Sequence, residues 1–169
     1  MADYIPRLND EGMLNNPYWY ADNPFYQSGF GLPNCTCYVW GRLYELNREP
    51  PQTSLGDAQN WFEFNKNKGV YPYGNTPQLG SIICFYNNAT GGHVGVVEKI
   101  EGNTITTSNS AYGGAYFYLQ TLEIGSESHG GYDFQGYIYT WNGSSPIPPP
   151  TKKNDLIYLM LSKAFKGGI

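Results

Sequence analysis

The sequence predicts an α+β domain in which N-terminal helices pack on an antiparallel β-sheet. Three observations carry this. Two early segments place apolar residues at helical spacing, whereas every later patterned segment is short and strand-like. Turn formers are abundant, with 21 glycines and 12 prolines among 169 residues, which argues against a helical bundle. Helices first and hairpin-linked strands afterwards give a segregated architecture. The length suits one domain with a core and a short extension.

Residues 1–33 carry no periodic pattern. Prolines at 6, 17, 24 and 33, with Tyr18, Trp19, Tyr20, Phe25, Tyr26 and Phe30, predict an extended segment packed onto the domain. Residues 34–47, NCTCYVWGRLYELN, predict a helix: Asn34 is a good N-cap, and Cys35, Val39, Leu43 and Leu46 fall on one stripe. Gly41 in its middle permits a close approach. A second helix is predicted over 57–68, with Asp57 as its cap, Ala58, Trp61 and Phe62 on its apolar side and Gly69 at its C-terminal end. Strands are predicted at 81–86 (SIICFY), 93–100 (HVGVVEKI), 103–108 (NTITTS), 116–122 (YFYLQTL) and 134–141 (FQGYIYTW). The turns between them, such as NNATGG and EGN, hold hairpin residues. The predicted domain covers 1–141. A stiff Pro-rich linker, NGSSPIPPP, covers 142–150, and a short apolar and basic tail covers 151–169.

Composition narrows the function. Ten Lys and Arg stand against 14 Asp and Glu, with no basic patch, so nucleic acid is not an expected partner. No apolar run approaches the roughly 20 residues of a transmembrane helix. The start, MADYIPRLND, lacks the basic and apolar regions of a signal peptide, so synthesis in the cytoplasm, with exit by some other route, is expected. Three cysteines, an odd number, argue against a disulfide framework.

The chemistry points to Cys35 and His93. A thiol in the first turn of a helix meets the positive end of the dipole, which favours the thiolate. A buried structural cysteine is the plainer alternative. His93 follows Gly91–Gly92 at the start of a strand, so its ring can reach past the sheet edge. A Cys at a helix start with a His on an early strand is the papain-like arrangement. The second histidine, His129, sits in the Gly-rich loop SHGG. Asn109, just past the neighbouring strand, is the candidate to orient the imidazole. Glu98 lies five residues after His93 and in an unbroken strand points to the opposite face, so it reads as structural unless a bulge intervenes. A zinc set of Cys35, Cys37, Cys84 and His93 is the metal alternative. Residues i and i+2 of a helix project about 200° apart, which keeps Cys35 and Cys37 from converging. No metal and no cofactor are expected.

The stretches PNCTCYVWGR, LGSIICFY, GGHVGVVEKIEGNTITTSNSAYGG and FQGYIYTWNG, in that order, resemble the CHAP family, the cysteine, histidine-dependent amidohydrolase/peptidases. The likeness runs over roughly 18–143. It implies a papain-like CHAP fold, Cys35 as nucleophile, His93 as base and Asn109 as the orienting group. It further implies an oxyanion hole shared by Asn34 and Cys35, and peptidoglycan amide bonds as substrate. A thiolate–imidazolium pair is the expected resting state. Many members orient the histidine with a carboxylate, where this chain offers Asn109. Some carry a calcium loop of alternating aspartates before the nucleophile. The corresponding YQSGFGLPNC has none, so no structural calcium is expected. A wall hydrolase without a signal peptide fits a bacteriophage product. The apolar tail 151–169 suggests docking onto a phage tail protein and delivery to the host wall in the virion. A free endolysin and a non-catalytic wall-binding module are the alternatives.

Overall fold

Asn–Pro pairs shape the entry into the domain. In the computed structural model, which describes residues 3–143, the first thirty residues are not extended throughout as predicted. They form 3-10 turns at Met13–Asn15 and Pro17–Trp19 and a one-turn helix α1 (Pro24–Gln27). Asn16–Pro17 and Asn23–Pro24 each supply a cap residue followed by proline at the first helical position, where its missing N–H costs nothing. Asn23 Oδ1 accepts the Phe25 N–H at 3.1 Å. Such pieces are too short to show a period. The predicted tail 151–169, and the predicted linker from residue 144 onward, lie outside the described residues.

Helix α2 (Cys35–Asn47) begins where the cap residue places it, with Asn34 Oδ1 accepting the Thr36 N–H at 2.9 Å. Of its residues only Tyr44 escapes full burial, so it is a central helix and not a surface one. Gly41 explains how the entry segment covers it. A Cβ there would come within 2.3 Å of the Trp19 ring, so the missing side chain lets the indole lie against the helix. The second helix is split into a 3-10 turn at Ala58–Asn60 and α3 (Trp61–Lys68), closed by Gly69 at φ 62°. Asp57 stands before it but makes no cap bond, contrary to its predicted role.

Six antiparallel strands follow among the described residues: β1 (Tyr73–Gly74), β2 (Ile82–Tyr86), β3 (His93–Glu101), β4 (Thr104–Asn109), β5 (Tyr118–Glu123) and β6 (Asp133–Ile138). Their spatial order is β1-β6-β2-β3-β4-β5. Five strands lie where the alternation predicts them. β1, only two residues long, has no alternation to read. One face of the sheet contributes Ile82, Cys84, Val94, Val96 and Ile138 to the core around α2. The other gathers Ile83, Phe85, Val97, Ile105 and Tyr137 into a smaller cluster.

The pairing of β3 with β4 shifts register between Val97 and Lys99, so a bulge does occur at Glu98. It does not carry Glu98 toward His93. Glu98 stays on the α2 side, 1% exposed, with Arg42 Nε and Nη2 each at 2.9 Å and Ser108 Oγ donating at 2.7 Å. Arg42 also pairs with Glu45 at 2.6 Å, and Arg7 from the entry segment completes the set by pairing with Glu45. Two buried cations thus face two buried carboxylates, and these tie residues 4–7, α2 and β3 together. Despite the bulge, the Glu98 carboxylate is engaged in this buried set and not with His93.

Candidate active site

Cys35 occupies the first position of α2, where backbone N–H groups have no partner within the helix. His93 opens β3 after Gly91 (φ 85°) and Gly92 (φ 77°). A side chain at Gly92 would collide with the Phe85 carbonyl at 2.5 Å and the Gln59 amide at 2.7 Å. This turn is therefore clamped between β2 and the residues before α3, with Gln59 N–H donating to the Gly91 carbonyl at 2.8 Å. Cys35 and His93 line one open cavity of about 680 Å³, together with Asn34, Asp57, Tyr112 and His129.

Behind His93, its Nε2 lies 3.0 Å from Asn109 Oδ1. The orientation of the amide is set by its other end, since Asn109 Nδ2 donates to the Thr107 carbonyl at 3.1 Å and to Thr107 Oγ1 at 3.0 Å. An acceptor at Nε2 places the proton there and leaves Nδ1 as the unprotonated nitrogen. Tyr118 Oη stands 3.4 Å from the same Nε2. Gly95 makes this contact possible: a Cβ there would sit 2.2 Å from Asn109 Oδ1. A glycine inside a strand signals such a close approach, so this residue was open to sequence reasoning.

His129 was not. Its ring stacks on His93 with centroids 4.0 Å apart and planes 2° from parallel. Gln120 Oε1, 2.9 Å from His129 Nδ1, holds the ring from β5. Burial lowers the His93 pKa to about 4, and His129 adds to the effect, while the Asn109 bond works against it. Burial lowers His129 as well. The Cys35 thiol, 9% exposed, is pushed up by burial; the backbone N–H groups of Val94, Thr36 and Cys35 itself pull it back, and the Asp57 charge pushes it further up. Burial therefore works against charge at both members of the expected thiolate–imidazolium pair. At Cys35 burial outweighs the pull of the backbone N–H groups at the helix start. The Val94 N–H at the sulfur also ties Cys35 to the strand residue next to His93.

Asn34 divides its two ends. Its Oδ1 accepts from Thr36 N–H and from Thr36 Oγ1 at 2.8 Å, so only Nδ2 is left to donate into the cavity. The other cysteines are elsewhere. Cys37 Sγ faces the Trp19 carbonyl at 3.9 Å, and Cys84 is fully buried within β2. Among the described residues no three His, Cys, Asp or Glu side chains converge as metal ligands, so the zinc set does not assemble.

The CHAP domain family model matches residues 25–111, just over half of the chain. The chain belongs to the CHAP family. The match takes in Cys35, His93 and Asn109, whereas His129 of this CHAP protein lies beyond it. No curated protein matches the chain. A crystal structure described as that of Ly7917 with the hydrolyzing product of MDP aligns with 66% of this chain and 55% of that one, at 18% identity and a TM-score of 0.45. The CHAP chain thus spans about half the length of that protein. No helix among its described residues is long and apolar enough to cross a membrane.

Proposed function

We propose that this protein is a peptidoglycan hydrolase that cleaves wall amide bonds through Cys35 and His93. The observation that carries the reading is the Nε2–Asn109 bond, which leaves Nδ1 of a neutral His93 as a base in the cavity that Cys35 lines. In this mechanism the Cys35 proton passes to His93 as the sulfur attacks the amide carbonyl. The Cys35 backbone N–H and Asn34 Nδ2 stabilise the oxyanion, where one donor is worth ~10²–10³ in rate. His93 then gives its proton to the departing amine. Water, deprotonated by His93, releases the acyl group as a carboxylic acid and restores the thiol. Asn109 holds the ring throughout. Family membership supports the amide-cleaving chemistry, and peptidoglycan as substrate follows from the same membership.

Digestion of purified walls tests this. New amino termini identified by mass spectrometry are expected with the intact protein and absent with Cys35→Ala; they also tell an amidase from an endopeptidase. Release of reducing sugars without new amino termini would refute the reading. From sequence alone, we extend the proposal to a bacteriophage virion in which residues 151–169 dock onto a tail protein. Deleting them should leave wall hydrolysis intact and remove the protein from particles. Truncated protein still found in particles would refute docking through this segment, and full-length protein never found in them would favour a free endolysin.

A further inference from the structure

The walls of the cavity are almost free of charge. Asp57 is the only Asp, Glu, Lys or Arg among the described lining residues, and burial disfavours the charged form of both lining histidines. Asp57 is exposed, makes no cap bond and enters no ion pair among the described residues. Its backbone is nevertheless well fixed. The Asp57 carbonyl accepts the Asn60 N–H at 3.0 Å, and Gln59 N–H is bonded to Gly91. A Cβ built on Gly91 would stand 3.4 Å from the Asp57 carboxylate carbon, so the carboxylate lies against the turn that launches His93. Its charge also acts on the Cys35 sulfur.

We propose that Asp57 is a substrate-recognition residue that pairs with an ammonium group close to the scissile amide. This rests on the hydrolase reading above and adds a substrate class to it: stem peptides whose diamino acid keeps its second amine free. A lone carboxylate on an otherwise neutral wall attracts a cation, repels an anion and has no charge partner in an acylated amine. That amine is acylated where stems are crosslinked, so the enzyme favours uncrosslinked stems. Pairing has a second effect. An ammonium on Asp57 offsets the negative charge that disfavours ionised sulfur at Cys35, so the correct substrate eases its own attack.

The test uses two synthetic muramyl peptides that differ only in whether the diamino acid's side-chain amine is free or acetylated. Calorimetry with Cys35→Ala protein reads binding apart from turnover. The free-amine peptide should bind about fivefold more tightly at low salt, the upper range for an exposed ion pair. Added salt should shrink the difference. Cys35→Ala/Asp57→Asn, nearly isosteric at an exposed position, should bind both peptides alike. Equal affinities without the second substitution, or a preference that survives it, would overturn the proposal. Cleavage by the intact protein reports separately. Preference without cleavage sinks the hydrolase reading and leaves Asp57 as the recognition residue. Cleavage without preference sinks the role of Asp57 alone.

Discussion

Replacing Glu98 with Gln removes one charge from the buried set of Arg7, Arg42, Glu45 and Glu98 and leaves a net positive charge inside the protein. The side chain accepts five hydrogen bonds. Arg42 Nε and Ser108 Oγ reach Oε1; Arg42 Nη2, the Arg7 N–H and Tyr4 Oη reach Oε2. A Gln oxygen in the place of Oε2 keeps three of them. Its NH2 then meets Arg42 Nε and Ser108; the hydroxyl can turn to accept, but the guanidinium cannot. Breaking a buried pair costs about 3–5 kcal/mol, and the three retained bonds put Glu98→Gln near the lower end, about 3 kcal/mol. For a chain of this size that lowers the melting temperature by about 6–12 °C. Thermal unfolding followed by circular dichroism measures it, beside wall lysis well below the variant's midpoint, where the rate should be unchanged. A variant that melts like the parent but has lost lysis would refute the argument, because Glu98 would then act on His93.

Cys35→Ala should abolish lysis, while Cys37→Ala and Cys84→Ala retain it; loss of turbidity clearance in a folded Cys37→Ala protein would reassign the nucleophile. Asn109→Ala should lower kcat by about 10²-fold through misplacement of the ring. Gly95→Ala should do nearly the same, since its Cβ would sit 2.2 Å from Asn109 Oδ1 and 3.2 Å from the Ser108 carbonyl oxygen; full activity in Gly95→Ala would show that the Asn109 contact does not matter. Because the His93 pKa falls to about 4 in the fold, the unfolded chain takes up this proton first. Stability from this group is complete above pH ~6.5 and drains away as pH falls toward 4, by about 3 kcal/mol in all. Denaturant titrations of the parent and His93→Gln should diverge over that window, and parallel curves would contradict it. His129→Phe keeps a stacked ring but removes a group that holds the His93 pKa down, so the acid limb of kcat/KM should move toward neutral pH; an unmoved limb would deny the coupling.

Local signals made much of this protein legible. Asn34 announced α2, Gly69 ended α3, and alternation placed five strands. Parity along β3 put Glu98 on the face away from His93, and the bulge left that assignment in place. Other features depend on contacts distant in sequence. His129 follows His93 by three strands' worth of chain, and nothing in SHGG reveals that it returns to stack there. The four-residue charge set needs Arg7 beside α2, which no period encodes. Asp57 looked like a cap because Asp before a helix usually is one. Its carboxylate faces the cavity because the helix opens with a 3-10 turn that makes no side-chain cap bond. Gly95 was readable in principle, yet in HVGVV it passes for an ordinary strand residue.

The last strand of the sheet fills a place in its interior. β6 lies between β1 and β2, so while the chain is being synthesised β2 shows an unpaired edge of Ile82, Ile83, Cys84 and Phe85 until residues 133–138 have been made. β3, β4 and β5 can pair in sequence as they emerge, but β1 has no partner until β6 arrives. Assembly of the sheet is therefore completed only after nearly the whole domain has left the ribosome. A nascent chain stalled before residue 133, or a protein trimmed to 25–111, would present that apolar edge to its neighbours and aggregate.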